Sequence, residues 1–319
     1  MISKPNERSS HKENTPNLGG VAIAVGLLLV ILIFGVGMFY LDDYKLLTSM
    51  CVSILILLVV GIRDDVVGVS PKIKLLIEIV TVTIFTLITD VKIESFYGIF
   101  GVYELPNILS YLFTVFVFVV IINSYNLIDG IDGLAGTIAV VILFFLLCSF
   151  VESSYYFGIL FCSATIGSLL AFLRFNLFSK IYKVFMGDVG SLFIGFVLAS
   201  MAVLSLSVET QHENSLTQNP VFIMALFVVP FIDVLRVVFL RLMSRVSLFT
   251  ADKNHLHHKL IDYGFSHIMA TFILVVYNLF IVAVAYILDD FSLHLQLLIT
   301  VLTAIFLLVI MFKFFNRKM

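Results

Sequence analysis

Tryptophan is absent from this 319-residue sequence, and cysteine and charge are scarce. Without tryptophan, any aromatic belt at a membrane surface must be built from Tyr and Phe. The three cysteines, Cys51, Cys148 and Cys162, sit inside apolar runs with no paired spacing, which argues against a disulfide framework and against a thiolate metal site. Charged residues make up only 13% of the chain against 61% hydrophobic, and the mean hydropathy is +1.13. That balance excludes a soluble domain of this size, and no nucleic-acid partner is expected. The short alternating segments of an outer-membrane barrel are also missing, so helices must satisfy the backbone in lipid. No internal repeat or low-complexity stretch is evident.

What is present is a series of about ten apolar windows, each long enough to cross a hydrocarbon core of about 30 Å as a helix. They run near 20–40, 46–62, 73–89, 108–123, 134–151, 155–173, 190–207, 220–240, 268–287 and 292–312. The expected fold is all-α, a single polytopic transmembrane bundle over residues 1–319, with a polar segment at 1–18 and a His-containing loop at 241–266 outside the lipid. Ten spans put both termini on one side. Of the 19 basic residues only Lys45 and Lys92 then fall on the other side, so the positive-inside rule assigns the termini and both of those segments to the cytosol. On the external side, VKIESFYGIFGVYELP (91–106) alternates apolar and polar residues around Gly98 and reads as a small β-hairpin. ETQHENSLTQNP (209–220) reads as polar linker.

All the polar clusters fall on the cytosolic face. In GIRDDVVGVSPKIK, Asp64 and Asp65 end one span while Lys72 and Lys74 open the next. Adjacent carboxylates at a membrane interface need a cation or a proton to coexist, although taken alone the stretch reads more simply as a solvated turn with Pro71 starting a helix. In NSYNLIDGIDGLAG (123–136), Asp129 and Asp132 are three apart and share a face if the segment is helical, with Asn123 and Asn126 in the same register. Gly130, Gly133 and Gly136 leave room for a ligand to reach the backbone; the alternative is a Gly/Asp helix-to-helix turn, which would not require two Asn and two Asp in one register.

In FMGDVGS, Asp188 precedes the seventh span. A helix N-terminus beside a carboxylate suits a metal and a phosphate together, as well as it suits a plain cap by Asp188 or Ser191. In DKNHLHHKL, His255, His257 and His258 lie between Lys253 and Lys259, with Arg241 and Arg245 nearby. Those cations disfavour zinc and favour an anion such as a diphosphate. A basic loop facing anionic lipid would explain the lysines better than the three histidines. An ionised side chain costs up to about 2.5–3.5 kcal/mol at the bilayer centre, so five carboxylates gathered on one face are not chance. Their hard oxygens point to Mg²⁺ or Mn²⁺, with phosphate completing the shell.

Together these residues resemble the polyprenyl-phosphate N-acetylhexosamine-1-phosphate transferases of glycosyltransferase family 4. The resemblance runs nearly end to end. It is carried in order by KENTPNLGG (12–20), the Asp64–Asp65 pair with Lys74, NSYNLIDGIDGLAG, FMGDVGS, PFID with Asp233, and ADKNHLHH. His255-Leu256-His257-His258 is similar to the HxHH form of members that start O-antigen, enterobacterial common antigen or teichoic acid synthesis, the undecaprenyl-phosphate GlcNAc-1-phosphate transferase-like branch. The phospho-N-acetylmuramoyl-pentapeptide translocase resembles it less, with three consecutive His followed by Phe and Glu. Family members have eleven spans, the first preceding the segment that here reads PNERSSHKENTPNLGG, so this chain is expected to lack that span.

The resemblance implies that undecaprenyl phosphate attacks the sugar-bearing phosphorus of a UDP-N-acetylhexosamine in the bacterial inner membrane. UMP leaves, and the lipid-diphospho-sugar starts a cell-envelope polysaccharide such as the O-antigen of lipopolysaccharide. It further implies Asp188 as Mg²⁺ ligand, Asp129 and Asp132 near the metal or the uridine, Phe185 stacked on uracil and Lys12 on the nucleotide. Asn126 would orient the nucleotide phosphates, the His loop would hold the diphosphate with Arg245 beside it, and Asp64 is the family's proposed base. A phosphate monoester has its second pKa at about 6, so little proton removal is needed at pH 7. Asp64 and Asp65 are therefore read as organisers of lipid phosphate, metal and Lys74, with charge neutralisation and in-line positioning supplying the rate. A homodimer is left open.

Two rivals can be weighed. A secondary transporter would use Glu78 and Asp233, which lie within spans and have Lys74 at i−4 and Arg236 at i+3 as local partners. It should hold its polar site near the midplane between broken helices, whereas these acids crowd one surface. A CDP-alcohol phosphotransferase needs an Arg and a later Asp pair that are absent after Gly133.

Overall fold

The computed structural model describes residues 2–3, 15–35, 41–179, 181–207, 219–245, 247 and 254–316. A two-residue antiparallel contact pairs β1 (Ile2–Ser3) with β2 (Thr15–Pro16). Helices follow: α1 (Gly19–Val30), which widens into a π turn over Ile31–Gly35, then α2 (Leu41–Val67), α3 (Pro71–Thr89), α4 (Asn107–Ile128), α5 (Leu134–Glu152) and α6 (Tyr156–Phe178). The second half comprises α7 (Gly187–Ser207), α8 (Pro220–Leu226), α9 (Val228–Met243), α10 (Leu256–Asp262), α11 (His267–Ile287) and α12 (Leu293–Asn316).

Each apolar window of the sequence coincides with a helix or with the α8–α9 pair, and the chain is a multi-pass helical membrane protein. Among the described residues seven helices are long and apolar enough to cross a membrane, and the bent α8–α9 pair makes an eighth. The remaining two windows form helices that fall short of that measure. Gly19–Gly35 is shorter, and α3 carries Lys72, Lys74 and Glu78 in its first half.

Local chemistry sets several of the ends. Ser70 caps α3 by accepting the Ile73 N–H, with Pro71 at the first helical position. Asn219 caps α8 by accepting from the N–H groups of Val221 and Phe222, and Pro220 again follows the cap. The α8–α9 break bends by 75°. Pro230 accounts for it, because it has no N–H for the Leu226 carbonyl and its ring crowds that carbonyl. The bend carries Asp233 and Arg236 of α9 toward the His loop.

The axis of the bundle is α7, whose apolar window is 94% buried against 17% for α12. Glycines bring its neighbours into backbone contact. A Cβ on Gly20 of α1 would lie 2.6 Å from Gly190 Cα, one on Gly61 of α2 2.7 Å from Val189 N, and one on Gly195 of α7 2.9 Å from Ile122 Cα on α4. Close approach of this kind is how helices associate where lipid removes the hydrophobic drive between them. Phe85 and Phe118 close the core against Phe196, with ring centroids 5.1 and 5.8 Å from it.

The 91–106 segment does reverse direction, but through turns instead of paired strands. The Leu105 N–H bonds the Glu94 carbonyl at 2.9 Å and the Gly98 N–H bonds the Val102 carbonyl at 3.0 Å. Between them Tyr97, Gly98, Phe100 and Gly101 all take positive φ, so the alternating pleat that a ladder requires cannot form. Of the expected external linker, residues 209–218 lie outside the described residues.

Packing around α7 generates a test. Gly195→Val should lower the melting temperature of the detergent-solubilised protein, with a cost of about 1–3 kcal/mol for overpacking. Gly167→Val, where an added Cβ meets nothing within 4 Å, should leave it near the wild-type value. Equal melting temperatures for the two variants would contradict the backbone contact between α4 and α7.

Candidate functional site

The α2–α3 turn, the end of α4 and the start of α7 meet at one end of the bundle, and Lys74 sits where they meet. Its Nζ lies 2.9 Å from Asp64 Oδ2 and 2.5 Å from Asp188 Oδ1, and it donates to Asn126 Oδ1 at 3.4 Å. Asp64 also closes the α2–α3 turn by accepting the Val69 N–H at 2.8 Å. Asn126 donates its amide to Asp188 Oδ1 and shares a hydrogen bond with Ser191 Oγ, both at 2.7 Å. One ammonium on α3 thus joins residues of α2, α4 and α7 that are 10, 52 and 114 positions from it in sequence.

Asp65 faces the other way and caps α7 from outside. Its oxygens accept the N–H groups of Asp188 and Val189 at 3.3 Å, and the side-chain amide of Asn17 at 3.1 Å. A carboxylate there satisfies orphan donors and opposes the positive end of the helix dipole. Gly187 takes φ 69°, and a Cβ on it would run into the Asp65 carboxyl. The main chain continues the contact: Phe185 N–H bonds Pro16 C=O at 3.0 Å, Gly19 N–H bonds Phe185 C=O at 2.9 Å and Gly20 N–H bonds Met186 C=O at 3.0 Å. These bonds join the NLGG and FMGD motifs directly.

The expected shared face of Asp129 and Asp132 does not form. Helix α4 ends at Ile128, Asp129 has φ −77° and ψ 54°, and Gly133 turns the chain with φ 77°. Asp132 therefore points away from Asp129, to Lys183 Nζ at 2.7 Å and His267 Nδ1 at 2.8 Å. Burial pushes its carboxyl up, but the hydrogen bonds from His267 and Lys183 outweigh burial and hold it below the usual value. Asp132 is a strut between the α4–α5 turn, the α6–α7 loop and α11.

Asp129 has no cation within ion-pair distance among the described residues. Burial, then the charges of Asp188, Asp65 and Asp132, raise its carboxyl to about 8. Among the described residues no three His, Cys, Asp or Glu gather closely enough to hold a metal ion by themselves.

The His loop meets this turn. The space a Cβ on Gly130 would need is filled by the His257 ring. His257 is 1% exposed, and both of its ring nitrogens are buried without a hydrogen-bond partner, a costly state unless something bonds them. Burial, then the neighbouring His258, His255 and His267, hold it well below the ordinary imidazole value, so it is neutral at pH 7. The ring centroid of His258 is 4.3 Å from that of His257, and the centroid of His255 is 5.7 Å from it.

Other expected residues are placed differently. Phe185 lies beside the cluster with Lys183 Nζ 5.5 Å from its ring centroid. Arg245 is exposed at the end of α9 with φ 54°, and no hydrogen bond or ion pair joins it to the cluster. Lys12 lies outside the described residues.

The two local ion pairs that the spacing allowed, Glu78 with Lys74 and Asp233 with Arg236, are replaced. Lys74 is committed to Asp64 and Asp188, while Glu78, fully buried, takes the amide of Asn123 and leaves Oε1 unpartnered. Asp233 turns to His255 instead of Arg236. Three contributors escaped the sequence reading. Asn17 binds Asp65, His267 binds Asp132, and Asn176 joins Gly133 N–H to Val184 C=O at 2.7 and 2.8 Å. Asn17 carried a signal by lying within KENTPNLGG, and Asn176 did so as a polar residue two positions after Arg174 at the end of an apolar run.

The family model for glycosyl transferase family 4 matches residues 47–206, which include Asp64, Asp65, Lys74, Asn126, Asp129, Asp132 and Asp188. A Bacillus subtilis (strain 168) protein named probable undecaprenyl-phosphate N-acetylglucosaminyl 1-phosphate transferase is 30% identical over 310 residues, covering 97% of this chain and 83% of the relative. The undecaprenyl-phosphate alpha-N-acetylglucosaminyl 1-phosphate transferases of Salmonella typhi and of Pasteurella multocida (strain Pm70) are 29% and 34% identical, each over 83% of this chain and over 70% and 72% of their own lengths. The chain belongs to glycosyl transferase family 4.

Proposed function

We propose that this protein transfers N-acetylglucosamine 1-phosphate from its UDP-sugar to undecaprenyl phosphate at the cytosolic face of a bacterial inner membrane, releasing UMP. The observation that carries the reading is the Lys74 ammonium held between Asp64 and Asp188 at the end of a membrane-spanning bundle. There a lipid-borne phosphate and a soluble nucleotide sugar can meet one cation. The names of the three relatives supply the substrates, and the HxHH pattern supports an enzyme that starts an envelope polysaccharide over the pentapeptide translocase.

In the reaction an oxygen of the lipid phosphate forms a bond to the sugar-bearing phosphorus. The bond from that phosphorus to the UMP oxygen breaks, and UMP leaves with the electron pair. A phosphate monoester with a second pKa of about 6 arrives as the dianion, so Asp64 serves by holding Lys74 in place rather than by removing a proton. Lys74 supplies fixed positive potential where charge builds on the leaving group. Asn126, itself held by Asp188 and Ser191, orients the nucleotide phosphates. His255 and His258 reach the diphosphate, with Lys12, Arg245 and Phe185 as the proposed further contacts to the nucleotide.

Asp188 and Asp129 would hold Mg²⁺, or Mn²⁺ in its place. The donors fit: both are carboxyl groups with hard oxygens, and Asp129, pushed up by burial and then by its anionic neighbours, has no cation beside it among the described residues. Mg²⁺ characteristically takes one or two carboxylates and completes its shell with phosphate oxygens and water, which suits a site without a third protein ligand. When bound, it supplies neutralisation of diphosphate charge.

Purified protein in lipid, given undecaprenyl phosphate, Mg²⁺ and a panel of UDP-sugars, should release UMP with UDP-N-acetylglucosamine; no UMP from any sugar would overturn the proposal. Asp64→Asn should lose about 100-fold or more in kcat equally from pH 6 to pH 9, and recovery at high pH would instead mark Asp64 as a base. Asp188→Ala should shift the Mg²⁺ titration to higher concentration, and an unchanged titration would remove Asp188 from the metal.

A further inference from the structure

We infer that Asp233 is a positioning residue for the transfer, acting through His255. The inference rests on the proposed role of His255 at the diphosphate. Asp233 stands on α9 just past the Pro230 bend and is 1% exposed. Both of its oxygens are used on the His loop. Oδ2 lies 2.6 Å from His255 Nδ1, and Oδ1 accepts the Leu256 N–H at 2.6 Å.

His255 occupies the N-cap position of α10, yet its side chain makes no cap hydrogen bond; the ring is turned back to Asp233. Arg236, one turn further along α9, donates to the Asn254 carbonyl, and its guanidinium lies 5.0 Å from the Phe312 ring centroid. Residues 254 to 256 are therefore pinned to α9 at three points.

An ionised carboxylate only accepts hydrogen bonds, so Nδ1 of His255 must carry a proton. Nε2 is then the nitrogen presented to substrate, and it has no partner among the described residues. A neutral cap could have held the Leu256 N–H alone. Burying a carboxylate is costly unless its charge is used, and here its second oxygen selects one tautomer and one orientation of the ring. The same logic governs an aspartate behind a catalytic histidine, where replacement by asparagine keeps the shape but inverts the tautomer.

The test compares Asp233→Asn and Asp233→Glu with wild type, all in lipid nanodiscs with histidine-selective ¹⁵N labelling. The asparagine Oδ1 can still accept the Leu256 N–H, but its amide donates to His255 and so drives the ring proton to Nε2. The expected result for Asp233→Asn is a melting temperature near wild type, a His255 nitrogen pattern showing Nε2–H, and a fall in kcat of about 10²–10⁴. Asp233→Glu, which keeps an acceptor for Nδ1–H, should recover at least about tenfold of that loss even where packing around it is disturbed. Wild-type turnover in Asp233→Asn would overturn the inference, as would equal impairment of the Asn and Glu variants. Either outcome leaves the proposed function standing, whereas a wild-type protein that releases no UMP sinks that function and this inference together.

Discussion

Like charges brought together at the edge of a low-dielectric slab need a counter-charge, and at the crowded end of this bundle Lys74 provides it. Five aspartates converge there. Two of them, Asp64 and Asp188, share the Lys74 ammonium. Much of the local architecture can be understood as the means of delivering that group. Ser70 and Pro71 start α3 so that Lys74 falls in its first turn. Asp64 holds the preceding turn through Val69. The glycine contacts of α7 with α1, α2 and α4 bring Asp188 within reach from more than a hundred residues away.

The remaining carboxylates are handled one at a time, each by different chemistry. Asp65 is stabilised by the N–H groups at the start of α7 that have no partner within the helix. Asp132 is stabilised by Lys183 and His267. Asp233, on a separate helix, is stabilised by the His loop. Asp129 has none of these among the described residues, and burial, then the charges of Asp188, Asp65 and Asp132, push its carboxyl up. The placement of His257 against Gly130 brings the His loop to the edge of this turn.

Much of this could be read from the chain alone, because hydropathy is a local property. About ten apolar windows appear as helices at the expected places, and the polar motifs fall at one end as the basic residues required. Partner choice was not local and could not be read. Lys74 has Glu78 one turn away, yet it binds residues from three other helices. Asp233 has Arg236 one turn away, yet it binds a loop 22 positions distant. The Asp129–Asp132 register failed because α4 ends one residue too early, and the external hairpin failed because four residues between Tyr97 and Gly101 take positive φ. In each case a tertiary contact or a backbone conformation outweighed the spacing that a regular element would have imposed.

The central claim, that Lys74 is the shared counter-cation for Asp64 and Asp188, is tested most directly by thermal unfolding of Lys74→Met beside the triple variant Lys74→Met/Asp64→Asn/Asp188→Asn in the same lipid. Removing the ammonium alone leaves two partly buried carboxylates uncompensated, so the single variant should melt well below wild type. Neutralising both acids should return the triple variant most of the way to the wild-type melting temperature. A Lys74→Met protein that melts with the wild type, or a triple variant no more stable than the single one, would contradict it.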